Sequence, residues 1–87
     1  MSNAHQTPVE ETSELLNLLI RALVDFPNEV NVQTLEGSQS TIFEVSVHPE
    51  DVRRIIGRRG RTAQSIRTVV RAAAARDAVE VDVDFVD

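Results

Sequence analysis

Two glycines near the middle of the chain, in Ile55-Ile56-Gly57-Arg58-Arg59-Gly60-Arg61, separate two stretches of helical pattern. A glycine accepts backbone angles closed to other residues and lets a second backbone approach closely. A two-residue loop bracketed this way folds one helix end against the start of the next. The second helix, beginning at about Thr62, turns its unpaired amide N–H groups and the positive end of its dipole into the loop. That arrangement holds anions, and here both enclosed residues are arginines. A plain helix-to-helix turn, with Gly57 closing the first helix and Gly60 in the loop, accounts for the same letters. The four-residue motif alone therefore does not decide between them.

Charge placement adds what the motif lacks. The net charge is −5, yet Arg53, Arg54, Arg58, Arg59, Arg61, Arg67, Arg71 and Arg76 fall in residues 52–76, which hold no acid. The rest of the chain holds Arg21 against all 14 carboxylates. A polarised distribution steers anions to one region whatever the total. Every cation is arginine, whose planar fork matches phosphate. Arginine-rich helix faces also serve solubility, but those faces normally mix signs.

Length and composition close off other classes. The 87 residues make one domain with a modest core, burying about 60–65% of the unfolded surface. There is no cysteine, so disulfides and thiolate metal sites are out of reach. No apolar run approaches the roughly 18 residues of a membrane span, and the start lacks a secretion signal. A cytoplasmic protein without a membrane partner is expected. Ser2-Asn3-Ala4 has the form of a cloning remnant. Residues 1–10 are expected as a loosely ordered tail and 11–87 as the domain.

Along the chain, Thr7-Pro8-Val9-Glu10 has the form of a capping box with proline at the first helical position. Thr12 or Ser13 offers a second start. Leu15, Leu16, Leu19, Ile20, Leu23 and Phe26 recur at helical spacing until Pro27, with Leu18 and Val24 widening the apolar face. Val30 to Glu36 and Thr41 to Val47 read as strands joined at Gly37-Ser38-Gln39-Ser40. The second alternates cleanly. In the first, Leu35 is out of step with Val30 and Val32, which predicts an edge strand or a bulge. His48-Pro49-Glu50-Asp51 starts a short helix with acids against its dipole. Val52, Ile55 and Ile56 are expected inward, and His48 is expected to be structural. Thr62 to Ala75 predicts a helix burying Ile66, Val69, Val70, Ala73 and Ala63, with Arg67 and Arg71 on a separate basic stripe. Val79 to Phe85 is the clearest strand, its valines and Phe85 on one face and Glu80, Asp82 and Asp84 on the other. Those acids, spread along one strand, do not make a closed metal site.

The order helix–strand–strand–helix–turn–helix–strand predicts an α+β domain: a three-stranded sheet covered on one face by three helices. The acids of the last strand would lie on the open face and the arginines at the helix corner.

The run from Val52 to Arg67 resembles the V-I-G-x-x-G-x-x-I-x-x-I signature of KH domains, with Ile55-Ile56 for V-I and Ile66 for the last isoleucine. Ala63 departs from it. The element order matches the type II arrangement, α-β-β-α-α-β, which implies a mixed three-stranded sheet. Over residues 11 to 85 the chain is similar to the small single-domain bacterial KH proteins of the KhpA (YlqC-like) type. That resemblance implies a non-catalytic protein that binds single-stranded RNA, an RNA chaperone or post-transcriptional regulator. KH domains clamp about four nucleotides with this loop. It implies that Gly57, Arg58, Arg59 and Gly60 contact the sugar–phosphate backbone. Ile55 and Ile56 would floor the groove, and Arg54, Arg61 and Arg67 would add positive potential at its rim. It also implies a homodimer, or a heterodimer with a larger KhpB-like KH protein.

Composition narrows the mode of contact. Phe26, Phe43 and Phe85 are the only aromatics besides two histidines, and all three sit at core-like positions. Bases would then lie on aliphatic side chains and backbone edges, not on exposed rings. A protein-interaction module using the same fold as an adaptor is the alternative, motivated by the wide apolar face of the first helix. An enzyme is not expected, since no nucleophile–base constellation is present. No cofactor or metal is expected either.

Overall fold

Thr41, Phe43 and Val45 alternate with Ile42, Glu44 and Ser46, and that alternation makes the centre of the protein. A computed structural model describes residues 7–86, apart from the Arg58 side chain. In it this stretch is the middle strand of a three-stranded sheet. The elements are α1 (Pro8–Leu23), β1 (Asn31–Glu36), β2 (Thr41–Ser46), α2 (Val52–Ile56), α3 (Arg61–Ala75) and β3 (Val81–Phe85). β1 runs antiparallel to β2 with Thr34 opposite Phe43. β3 runs parallel on the other side with Val83 opposite Phe43. This is the expected α-β-β-α-α-β order and mixed sheet.

Leu16 and Ile20 of α1, Ile55 of α2, and Ile66, Val70 and Ala74 of α3 close over Phe43, Val45, Val81 and Val83. The helices thus cover the face where period-2 strands and period-3.6 helices both place their apolar residues. β1 is an edge strand without a bulge, since its pairing runs unbroken from Asn31–Ser46 to Glu36–Thr41. Leu35 is out of step because it points to the open face, opposite Ile42.

Several expectations move. Thr7 Oγ1 accepts from the Glu10 N–H at 3.1 Å, and Glu10 Oε1 accepts from the Thr7 N–H at 2.9 Å. With two orphan amides satisfied, residues 7–10 are the first turn of α1 and not tail. Expectations about residues 1–6 lie outside the described residues. α1 ends at Leu23, before Pro27, because Val24 is already extended. Leu23 and Phe26 accordingly sit at the surface. Ile56 and Val69, expected inward, are 40% and 47% exposed. α2 has five residues, too short to centre more than Ile55 on the core. In α3 the buried line is Ala63, Ile66, Val70 and Ala74, which leaves Val69 on the flank.

Asp51 does more than oppose a dipole. It is 1% exposed; Oδ1 accepts from the Asp25 N–H at 3.0 Å and Oδ2 from the Phe26 N–H at 3.1 Å. It fastens the exit of α1 to the entry of α2. His48 is structural: Nδ1 accepts from the Glu50 N–H at 3.0 Å, and the ring stacks on Phe26 with centroids 4.0 Å apart. Asp51→Ala strands two amides that a carboxylate now satisfies. It should cost about 2–4 kcal/mol of stability, read as a lower urea midpoint at unchanged m-value.

Candidate nucleic-acid interface

Gly57 ends α2, its N–H donating to the Arg53 carbonyl at 2.7 Å. Its backbone, at φ 68° and ψ −175°, lies in a region essentially confined to glycine. A Cβ there would meet Thr62 Oγ1 at 2.7 Å. The turn is therefore pressed against the first turn of α3. Arg59 and Gly60 follow in the left-handed region, at φ 59° and 71°. Three positive φ values in four residues turn the chain sharply enough for α3 to start at Arg61. Its N-cap is Gly60, which has no side chain to cap with. No side chain caps the start of α3, and a single 3-10 turn over Arg58–Gly60 leads straight into it.

The site residues do not share one environment. Gly57, the Arg58 backbone, Arg59 and Gly60 form the turn itself. Arg61 is exposed at the first position of α3, and Arg53 is exposed on α2. No ion pair to Arg53, Arg59 or Arg61 occurs among the described residues. Ile56 is exposed beside the turn, and it shares a narrow apolar recess with Val45, Val47, Val52, Ile55, Phe85 and Val86. Ile55 is 1% exposed and belongs to the core.

The expected segregation of charge is only partial, because acids from elsewhere reach the arginine-rich segment. Arg54 Nη2 pairs with Asp25 Oδ2 at 2.7 Å and its Nε lies 3.7 Å from Asp51 Oδ1. Arg71 Nη2 pairs with Asp82 Oδ1 at 2.7 Å, and Arg76 approaches Asp77 at 4.0 Å. Arg67 is half-buried: Nε donates to the Val83 carbonyl at 3.0 Å, and the guanidinium lies 5.3 Å from the Phe85 ring centre. Of the three rim arginines, only Arg61 is free of such contacts among the described residues. The Val83 N–H, followed by the Arg71 and Arg67 charges, holds the Asp82 carboxyl below its ordinary pKa against an opposing effect of burial.

The phenylalanines also depart from expectation. Phe43 is fully buried, but Phe26 is 38% exposed and Phe85 half-buried. Each of these two has one side occupied, by His48 and by Arg67 respectively. Sequence reasoning misses the partners of Asp51 and Asp82, and it misses Gln64, whose Oε1 accepts from Arg67 Nη1 at 3.0 Å. Arg71 and Asp82 pair across a helix–strand junction, for which no local spacing rule exists.

The family described as KhpA/KhpB, KH domain, matches residues 13–85 of the chain. The RNA-binding protein KhpA of Caldanaerobacter subterraneus subsp. tengcongensis is 45% identical over 73 residues, which is 84% of this chain and 97% of that protein. That of Clostridium acetobutylicum is 44% identical over 73 residues, with the same coverage. That of Borreliella burgdorferi is 43% identical over 74 residues, 85% of this chain and 90% of that protein.

The two glycines of the turn separate in their physical demands. Gly57→Ala introduces both a forbidden backbone and a contact with Thr62. At Gly60 an added methyl group would have no heavy atom within 4 Å, so Gly60→Ala meets only the left-handed penalty of about 1–2 kcal/mol. Thermal unfolding should show Gly57→Ala the more destabilised of the pair.

Proposed function

The chain belongs to the KhpA/KhpB KH-domain family, and from that membership we propose that it binds single-stranded RNA without catalysis, holding the sugar–phosphate backbone at the Gly57–Gly60 turn. The observation that carries the assignment of the site is the turn itself. Its positive-φ path leads into α3 with no side-chain cap at Gly60, and Arg53, Arg59 and Arg61 stand around it without ion pairs among the described residues. Amides at a helix start and arginine forks are complementary to phosphate oxygens. Ile56 offers an aliphatic surface to a base next to the turn, Arg58 adds charge, and Arg54 joins the rim when it exchanges its exposed Asp25 partner for a phosphate. Arg67 contributes from the side facing β3. No helix among the described residues is long and apolar enough to cross a membrane. The role we propose is that of a cytoplasmic RNA chaperone or post-transcriptional regulator.

Neutralising four phosphates of a single strand gives a log–log salt slope of about −3, at about −0.7 each. Replacing both Arg58 and Arg59 by Asp should weaken binding to a short oligoribonucleotide at least tenfold while circular dichroism stays unchanged. Undiminished binding by that variant, or a wild-type slope near zero, places the RNA elsewhere.

One observation favours an additional partner. Leu18 on α1 is 68% exposed, and it shares an open groove with Leu15 of α1 and Ala73 of α3. An exposed apolar strip flanked by charges is what a protein partner covers. We infer a second KH chain there, either another copy or a larger KhpB-like protein. Sedimentation velocity should show Leu18→Glu shifted toward monomer relative to wild type; an unaltered distribution removes α1 from the interface.

A further inference from the structure

β3 closes one side of the sheet, so its outer edge faces the groove beside α3. Backbone groups on such an edge are normally bare and available to a ligand. Those of Val83 are not bare. Its N–H donates to Asp82 Oδ1 at 2.8 Å, and its carbonyl accepts from Arg67 Nε at 3.0 Å. The same Asp82 Oδ1 accepts from Arg71 Nη2 at 2.7 Å. One carboxylate thus occupies both a strand-edge amide and a guanidinium of the basic stripe that leads along α3 away from the Gly57–Gly60 turn.

A carboxylate and a phosphodiester present the same chemistry to these donors: one negative charge and acceptor oxygens. We propose that Asp82 is an internal competitor for RNA, holding Arg71 and the Val83 N–H in the free protein and releasing them when a strand enters the groove between α3 and β3. The proposal rests on the RNA-binding reading above. The exchange is within reach because the pair is solvent-exposed, its side chains 52% and 57% accessible, and exposed pairs are held weakly. Asp84 lies on the same strand face, exposed and without an ion pair among the described residues. It reports what loss of charge alone does.

The test compares binding of a short labelled oligouridylate, across a salt series, to wild type and to Asp82→Asn, Asp84→Asn, Arg71→Ala and the double variant Arg71→Ala/Asp82→Asn. Freeing a guanidinium held by an exposed pair should tighten binding by Asp82→Asn about two- to fivefold. It should also steepen the salt slope, because in wild type rising salt loosens the Asp82–Arg71 pair and so offsets part of the loss of RNA affinity. Asp84→Asn should leave the slope unchanged, and Asp82→Asn should not steepen it once Arg71 is gone. Equal effects of Asp82→Asn and Asp84→Asn, or no tightening by the former, overturn the proposal. A second readout needs no substitution. On titrating wild type with the same oligonucleotide, the Val83 amide and Arg71 Nε resonances should shift. If only the Gly60 and Arg61 amides shift, Asp82 keeps its partners and the proposal fails while RNA binding stands. No binding by wild type in either experiment takes down the RNA reading and this proposal with it.

Discussion

Thr62 stands so close to the Gly57 backbone that no side chain fits between them, and the geometry of the corner follows from that contact. With a Cβ excluded, the chain turns through Gly57 at angles open essentially to glycine alone and brings α3 back under the end of α2. Arg59, in the left-handed region without being glycine, adds strain of about 1–2 kcal/mol. The surrounding core holds this in place. Ile55 on one side of the turn and Ile66 on the other are both buried in the same cluster, so the corner is anchored at each end. The same rotation that buries Ile55 exposes Ile56, and α3 starts behind a Gly60 that offers no side-chain cap. A surface suited to phosphate is thus a by-product of how two helices are packed.

Electrostatics then decides how much of the arginine-rich segment remains available. Concentration in sequence becomes only partial concentration in space, because α1, α2, α3 and β3 are close enough for acids to cross between them. Asp25 takes Arg54, Asp82 takes Arg71, and Arg67 bends to a strand carbonyl and an aromatic ring. Among the described residues, Arg53, Arg59 and Arg61 beside the turn stay without an ion pair. For a chain of net charge −5 this is a selective arrangement. Long-range attraction is weak, so a polyanion gains little until it reaches the corner itself.

Legibility in the sequence tracks the range of the interactions. β2 and β3 can be read because alternation is local, and the turn because glycine pairs carry their own backbone requirement. The capping box at Thr7 and Glu10 is equally local, and it outweighs the polar composition that suggests a tail over the first ten residues. Asp51 reads only as a helix-start acid, since its partners Asp25 and Phe26 lie a whole hairpin away in the chain. Ile56 and Val69 invite an inward placement because hydrophobicity does not say which of two neighbouring apolar residues a short or tilted helix will bury. Phe26 and Phe85 resemble core residues on the same ground. The turn and its glycines are therefore legible as local structure, while the state of Arg54, Arg67 and Arg71 depends on tertiary partners that no spacing encodes.

The acids that share the basic segment change what ionic strength does to it. Salt weakens attraction between arginine and RNA, but it also weakens the hold of Asp82 on Arg71, as it does any exposed pair. These two effects oppose each other. An arginine that leaves an internal carboxylate for a phosphate still releases a counterion from the RNA, but salt has also made its first partner easier to leave. The salt slope of such a surface is thus shallower than the number of phosphates set against arginine alone would give. With Arg53, Arg59 and Arg61 unpaired among the described residues and Arg54 and Arg71 already engaged, the dependence should understate the full footprint. Geometry at Gly57 fixes where a strand can lie, and the competing carboxylates set how strongly the rest of the groove responds.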